Sequence, residues 1–453
     1  MKLTSSALGA VGASVLLATG AGAIDVDVTS TDSIKNAAKL AAAGMTKWYT
    51  GYRPGDVAGN LPDPYYWWEC GAMFNGLIDY WYYTGDSQYN NITAQGLEHQ
   101  IGDYNAFMPQ NQSKSLGNDD QAFWGMAAMS AAENKLPDLG DDQPSWLGLA
   151  QAVFNTQAER WNDKKCGGGL NWQIYSFNKG FNYRNTISNG CFFNIAARLY
   201  KYTKNETYMD WAEKVWDWEL SVKLFDLQDG GYHFYDGADE NINCTEVNHI
   251  QWTYNAGVHL AGAAAMFNAT SSDEWKTRLS TVIKGLDVFF KDGVMYEVAC
   301  ETGGTCNTDQ RSFKAYLSRN MGYSMVTAPF TQDLLKEKLT TSAAAGAKQC
   351  TTSGDEATCG LKWTNNGQND GSVGVGENMA VMEALQNLLF ASVSGPVTEA
   401  AGGISKADPN AGAGATTTTV VFDEVTAGDK AGAGILTTIV LVAIVAGAWW
   451  MVA

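Results

Sequence analysis

The sequence predicts an all-α fold of six helical hairpins closed into a toroid, with long loops gathered at one end. Three observations carry that expectation. Apolar stripes at helical spacing alternate along the chain with helices that are apolar nearly all round. Helices of the second kind return at intervals: with Glu69, Asp119, Asn185 and Thr253 as approximate starts, the steps are 50, 66 and 68 residues, each enough for two helices and their loops. No run of alternating residues long enough for a large sheet interrupts them.

Taken in order, one-sided helices are expected over 33–48, where Ile34, Ala38, Ala41, Met45 and Trp48 share a face, and around Trp146, Ala150 and Val153. Two more follow around Tyr208, Trp211, Val215 and Trp218, and around Trp275, Leu279, Val282 and Leu286. Helices apolar on every side are expected over 70–83, 120–132, 187–202 and 255–267. The first kind coats a surface and the second sits inside. Stretches 311–326, 331–347 and 377–393 bring the count to about twelve helices in six pairs. The Gly-punctuated, aromatic stretches 167–174 and 230–235 are expected as small strands or hairpins in long loops.

Of the 453 residues, 45% are apolar, 12% aromatic and 17% charged, which describes a globular chain with a large core. An excess of 48 acidic over 30 basic residues, net −18, argues against nucleic acid or an anionic membrane surface as partner. Neutral or cationic ligands fit that balance.

Both ends of the chain are addresses. Lys2, the small-residue apolar run 7–18 and Ala21-Gly22-Ala23 predict a secretory signal over 1–23. A catalytic domain is then expected over 24–395 and a disordered Gly/Ala/Thr-rich stalk over 396–428. The apolar tail 435–453 reaches the end of the sequence with no basic residue behind it, so 429–453 is expected as a GPI-anchor signal that is removed, leaving a lipid-held protein. A membrane helix is the alternative. Eight cysteines suit an oxidising compartment and suggest four disulfides: Cys300 with Cys306 and Cys350 with Cys359 by proximity, with Cys70, Cys166, Cys191 and Cys244 left open. Sequons at Asn91, Asn111, Asn205, Asn243 and Asn268 predict exposed glycosylation sites. Four histidines without HExxH spacing, and no CxxC, GxSxG or phosphate-loop pattern, call for no metal or cofactor.

Asp119 and Asp120 open the apolar run 117–133. Glycoside cleavage needs one carboxylate as nucleophile or base and another as acid. At a helix start the dipole favours the ionised form of one, and its charge then favours the protonated form of the other. A simple N-cap is the competing reading, and Asp141-Asp142, in a polar Gly/Pro context, reads as a surface turn. The aromatic stretch 63–69 precedes an inner helix, so its rings belong at the same end as the acid pair. Trp67, Trp68, Asn118, Gln121, Trp172, Asn185, Asn189, Tyr254 and Asn255 fall at or near such loop-to-helix junctions and are candidate sugar-binding residues; a core or cap role is the alternative for each.

Residues 65–85 (YYWWECGAMFNGLIDYWYYTG), 117–133, 168–174 (GGLNWQI), 185–203 (NTISNGCFFNIAARLYKYT), 253–257 (TYNAG) and 374–386 (GVGENMAVMEALQ) resemble glycoside hydrolase family 76, the α-1,6-mannanases, and most closely its fungal GPI-anchored cell-wall branch. The resemblance implies an (α/α)6 barrel and a retaining double displacement, with Asp119 as nucleophile and Asp120 as acid/base. It implies an α-1,6-mannoside or the mannose core of a GPI glycan as donor, and β-1,6-glucan or water as acceptor, at the outer face of the plasma membrane and in the wall. A catalytically silent glycan-binding wall protein is the alternative from another class.

Overall fold

The computed structural model describes residues 22–140, 142–415 and 427–452. Most of the expected signal segment, Asp141 of the second aspartate pair and residues 416–426 of the expected stalk lie outside the described residues.

Twelve helices build the barrel. The inner ring is α2 (Trp67–Thr84), α4 (Asn118–Glu133), α6 (Thr186–Thr203), α8 (Thr253–Thr270), α10 (Phe313–Thr327) and α12 (Val375–Gln386). The outer ring is α1 (Thr31–Thr46), α3 (Asn90–His99), α5 (Trp146–Arg160), α7 (Glu206–Ser221), α9 (Asp273–Gly285) and α11 (Gln332–Ala347). Each inner helix packs on the next, and α12 returns to α2, which closes the toroid. The difference between the rings follows from composition. In α4 fourteen of sixteen residues are buried, and the two that are not are Asp119 and Asp120. In α9 five of thirteen are buried, on one face.

Small residues let the inner helices approach. A Cβ on Gly71 would stand 2.6 Å from the Trp124 indole, and one on Gly257 would stand 3.0 Å from the Leu317 backbone. The expected helices thus appear within one to three residues at most ends. The short strand Phe225–Gln228 pairs antiparallel with Gly231–Phe234, while 167–174 contributes only a bridge between Gln173 and Gly117.

Inner helices run from the loop-rich end to the opposite end, which is closed by ion pairs. There Glu133 binds Arg198 at 2.7 Å and Lys201 at 3.6 Å, and Arg319 binds Glu383 at 2.6 Å and Asp79 at 3.4 Å. A cavity of about 30 Å³ lies among them.

Two expectations need correction. Three disulfides form rather than four: Cys166–Cys244, Cys300–Cys306 and Cys350–Cys359. Cys70 and Cys191 stay as buried free thiols, because they lie on α2 and α6, with α4 between those helices in the ring. The stalk expected from residue 396 also starts too early. Residues 396–415 pack on the domain, with Ser405 and Ala415 buried, because their backbone finds partners on α4, α5 and α6.

Candidate active site

The first turn of α4 is held in place by the loop that follows α5. Asn118 N donates to Trp172 O at 2.8 Å, Ile174 N donates to Leu116 O at 3.1 Å, and Asn118 Nδ2 donates to Asn171 O at 2.8 Å. Arg160, at the end of α5, donates through Nε to Asn118 Oδ1 at 2.8 Å and through Nη2 to Gln121 Oε1. Gly117 arrives in an extended conformation, so the helix begins at Asn118 and its next two residues face the cleft.

Two cavities meet above that turn. The smaller, about 180 Å³, is lined by Asp119, Asp120, Tyr183, Asn185, Asp236 and Tyr254 among others. The larger, about 590 Å³, includes Asn60, Tyr65, Tyr66, Lys114, Asn178 and Lys179. Trp68, Asp120, Trp172 and Asp309 line both, whereas Asp119 lines the smaller alone.

The two carboxyls have different company. Asp120 Oδ2 accepts from Gly117 N at 2.8 Å, and burial, then the Asp119 charge, then Asp309, hold its carboxyl well above the usual range. Asp119 Oδ2 accepts from Asn185 Nδ2 at 3.3 Å. Burial pushes Asp119 up to about 7, and hydrogen bonds to its carboxylate work against that rise. Among the described residues no Arg or Lys lies within ion-pair distance of either. A pair in this state shares protons, and the form with one proton offers both a nucleophile and an acid.

Other acids surround the pair. Asp309 accepts from Trp68 Nε1 at 3.1 Å and is pushed up to about 6 by burial. Asp236 accepts from three neutral donors, Tyr183 Oη at 2.7 Å, Trp252 Nε1 at 2.8 Å and Asn248 Nδ2 at 3.2 Å. Glu69, in the first turn of α2, is fully enclosed and neither of its oxygens has a protein hydrogen-bond partner. Burial, with Asp309 and Glu377 adding, raises its carboxyl well above the usual carboxylate range.

The nine candidate sugar-binding residues divide by exposure. Trp68, Trp172, Asn185 and Tyr254 line the cleft; Tyr254 stacks on Phe313 at 3.8 Å, and Trp172 is 37% exposed. Trp67 lines the larger cavity with one edge while stacking on Trp124 at 4.9 Å and donating to Gln100 Oε1 at 2.8 Å. Asn118, Gln121, Asn189 and Asn255 are a correction: all four are enclosed beneath the cleft. Gln121 Nε2 donates to Ala106 O at 2.7 Å, Asn189 Nδ2 to Leu170 O at 3.1 Å, and Asn255 Nδ2 to Tyr235 O at 3.2 Å, so they support loops instead of facing a ligand. Asp236, Asp309, Tyr183 and Phe313 were missed. Asp309 carried a signal, since it stands just before inner helix α10 as Asn185 stands before α6. Of the sequons, Asn91, Asn111, Asn243 and Asn268 are exposed and Asn205 is half-buried at the start of α7.

Comparison with known proteins identifies the family. The profile of glycosyl hydrolase family 76 matches residues 33–400. The chain is 46% identical over 452 residues to mannan endo-1,6-alpha-mannosidase DCW1 of Saccharomyces cerevisiae, covering 99% of this chain and 100% of that protein. It is 45% identical over 433 residues to the DFG5 protein of the same name and yeast, covering 95% and 94% of the two chains. The crystal structure of Dfg5 from Chaetomium thermophilum in complex with glucosamine superposes with a TM-score of 0.81 at 44% identity, covering 85% of this chain and 97% of that one. The α-1,6-mannanase of Salegentibacter sp. HEL1_6 shares the fold at 21% identity, with a TM-score of 0.61 over 78% of this chain and 98% of its own. The chain is an (α/α)6-barrel glycoside hydrolase and belongs to glycosyl hydrolase family 76.

Proposed function

We propose that the chain is a retaining glycosidase or transglycosidase for α-1,6-linked mannosides, with Asp119 as nucleophile and Asp120 as acid/base. The observation that carries the proposal is an adjacent carboxyl pair, without a counter-ion, at the junction of two cavities. An oxygen of Asp119 attacks the anomeric carbon while Asp120 gives its proton to the departing glycosidic oxygen. Asp120, now a carboxylate, takes the proton of the incoming hydroxyl, whose oxygen displaces Asp119 and restores the original configuration. Because Asp119 borders only the smaller cavity, the ring under attack sits there, and leaving group and acceptor sit in the larger one.

The preferred donor is the mannose core of a GPI glycan and the acceptor is β-1,6-glucan or water, so that transfer links GPI proteins to wall glucan. The names of the yeast relatives support a 1,6-α-mannoside as donor, and the glucosamine held by the Dfg5 relative supports a donor that carries an amino sugar. An amino-sugar ammonium suits a cleft whose Asp309 and Asp236 have neutral partners. Trp68, Trp172 and Tyr254 present rings to sugar CH faces, and Asn185 is both a partner of Asp119 and a donor to hydroxyls. The sequon asparagines carry glycans. The apolar helix α13 (Ala427–Val452), whose stretch Lys430–Met451 reaches a mean hydropathy of 2.2, is part of a GPI signal, and the mature protein is held at the outer face of the plasma membrane and in the wall.

Incubation with a GPI-glycan analogue and β-1,6-glucan tests this. The expected product is a glucan-linked mannoside of retained anomeric configuration. Full turnover by both Asp119→Asn and Asp120→Asn would remove the assigned roles, and binding without turnover of any mannoside would leave the glycan-binding reading.

A further inference from the structure

After the last barrel helix the chain does not leave from the closed end. Val397 N donates to Glu133 O at 2.9 Å and Glu399 N to Tyr202 O at 3.0 Å, the final turns of α4 and α6. The chain then climbs the outer face of α5. Leu147 N donates to Ser405 Oγ at 2.9 Å, Asp408 N to Gln151 Oε1 at 2.6 Å, Asn155 Nδ2 to Ala411 O at 2.8 Å, and Gly414 N to Glu159 Oε1 at 3.0 Å. These partners on α5 recur about once per helical turn. Gly412, at φ +72°, fits where a Cβ would stand 2.9 Å from Ala152 O. Helix α5 has 15 residues, about 22 Å of rise, so the strap carries the chain from the closed end to the cleft end. It delivers Ala415 beside the helix end whose Arg160 holds Asn118 at the head of the acid pair.

A second asymmetry agrees. In the loops that lead into the inner helices, Tyr52, Tyr66, Tyr104, Trp172, Ile250 and Val373 are 37–57% exposed. Exposed aromatic and aliphatic side chains gathered on one end suit the lipid–water interface. At the closed end the comparable residues are Leu334 and Ile404. Eleven residues separate Ala415 from α13, a reach of no more than about 40 Å. A net charge of −18 offers no electrostatic attraction to a membrane, so tether and rim set the pose.

We infer that the strap 396–415 turns the cleft end of the barrel toward the lipid surface that holds the chain's C-terminus, so that the enzyme draws its donor from glycolipids of the same leaflet. The inference rests on the membrane-anchored reading above. The test uses the mature, lipid-anchored protein reconstituted in phosphatidylcholine vesicles carrying an acceptor-labelled lipid, with a donor dye placed through Asp56→Cys at the cleft end or Ser87→Cys at the closed end. Cys70 and Cys191 are buried, so the new thiol takes the dye. The two ends are separated by about the length of α2, roughly 27 Å for its 18 residues. Energy transfer is expected to be strong from position 56 and weak from position 87. Loosening the strap with Asn155→Ala and Ser405→Ala is expected to bring the two efficiencies together while turnover of a soluble mannoside persists. Equal transfer from both ends of the intact protein, or stronger transfer from 87, overturns the orientation. Vesicle-free protein overturns the anchor, and the orientation with it, so the two failures are told apart.

Discussion

The two ends of the barrel give their carboxyl groups different company, with Glu133, Asp79 and Glu383 buried at the closed end and Asp119, Asp120 and Asp309 half-buried at the cleft. At the closed end Glu133, Asp79 and Glu383 meet Arg198, Lys201 and Arg319 at 2.6–3.6 Å. At the cleft end Asp119, Asp120 and Asp309 meet an asparagine, a backbone N–H and an indole, and Glu69 meets no donor at all. Loss of water penalises charge at both ends, raising Asp79 to about 7 as it raises Asp119, and of the carboxyls just named only the three at the closed end have a basic partner. The lesson is that a buried acid paired with a base ties helices to each other, while Asp119, Asp120 and Asp309 make no such tie and stay open to the cleft.

The largest expected effect lies at the cleft. Asp119→Asn and Asp120→Asn should each lower kcat/KM on an α-1,6-mannoside by at least about 10³-fold, read by product release, while leaving folding intact. Glu133→Gln should do the reverse, since it strands Arg198 and Lys201 in the barrel. A loss of about 3–5 kcal/mol in stability is expected from denaturant midpoints.

A third substitution sharpens the contrast. The Glu69 carboxyl is raised in the folded state, so its stabilising contribution is complete below the unfolded value and is lost as pH rises through the folded one. Glu69→Gln should therefore stabilise the protein at pH 8 and change little at pH 4, as thermal midpoints at the two pH values will show. Asp309→Asn removes a negative charge that raises Asp120. The alkaline limb of the kcat/KM profile should then move to lower pH. Smallest of all, Trp172→Ala should raise KM roughly fivefold, about 1 kcal/mol of lost sugar stacking, with kcat nearly unchanged.

The fold was legible because burial leaves a direct mark on composition. Helix α4 is apolar around its circumference and α9 on one face, and those patterns assign the rings before any contact is known. The position of the acid pair was legible for a related reason, since two aspartates at the head of an apolar helix have few places to point. Gln121 and Asn255 were misread because a polar side chain near a helix start can turn toward a loop carbonyl as readily as toward a ligand, and only tertiary structure decides. Asp309 and Asp236 escaped because each is a single carboxylate in a loop, brought to the pair by barrel closure. The strap 396–415 escaped for the opposite reason: its Gly- and Ala-rich composition reads as unstructured, yet its backbone hydrogen-bonds along α5.

The division of labour between Asp119 and Asp120 is the centre of this account, and one trapping experiment tests it most directly. The Asp120→Ala variant, given an activated α-mannosyl fluoride, needs no acid to release fluoride and lacks the base for the second step. Fragmentation mass spectrometry should find one hexosyl group esterified to Asp119. A hexosyl group on Asp309 or Asp236, or an inverted first product from the unaltered enzyme, would contradict the account.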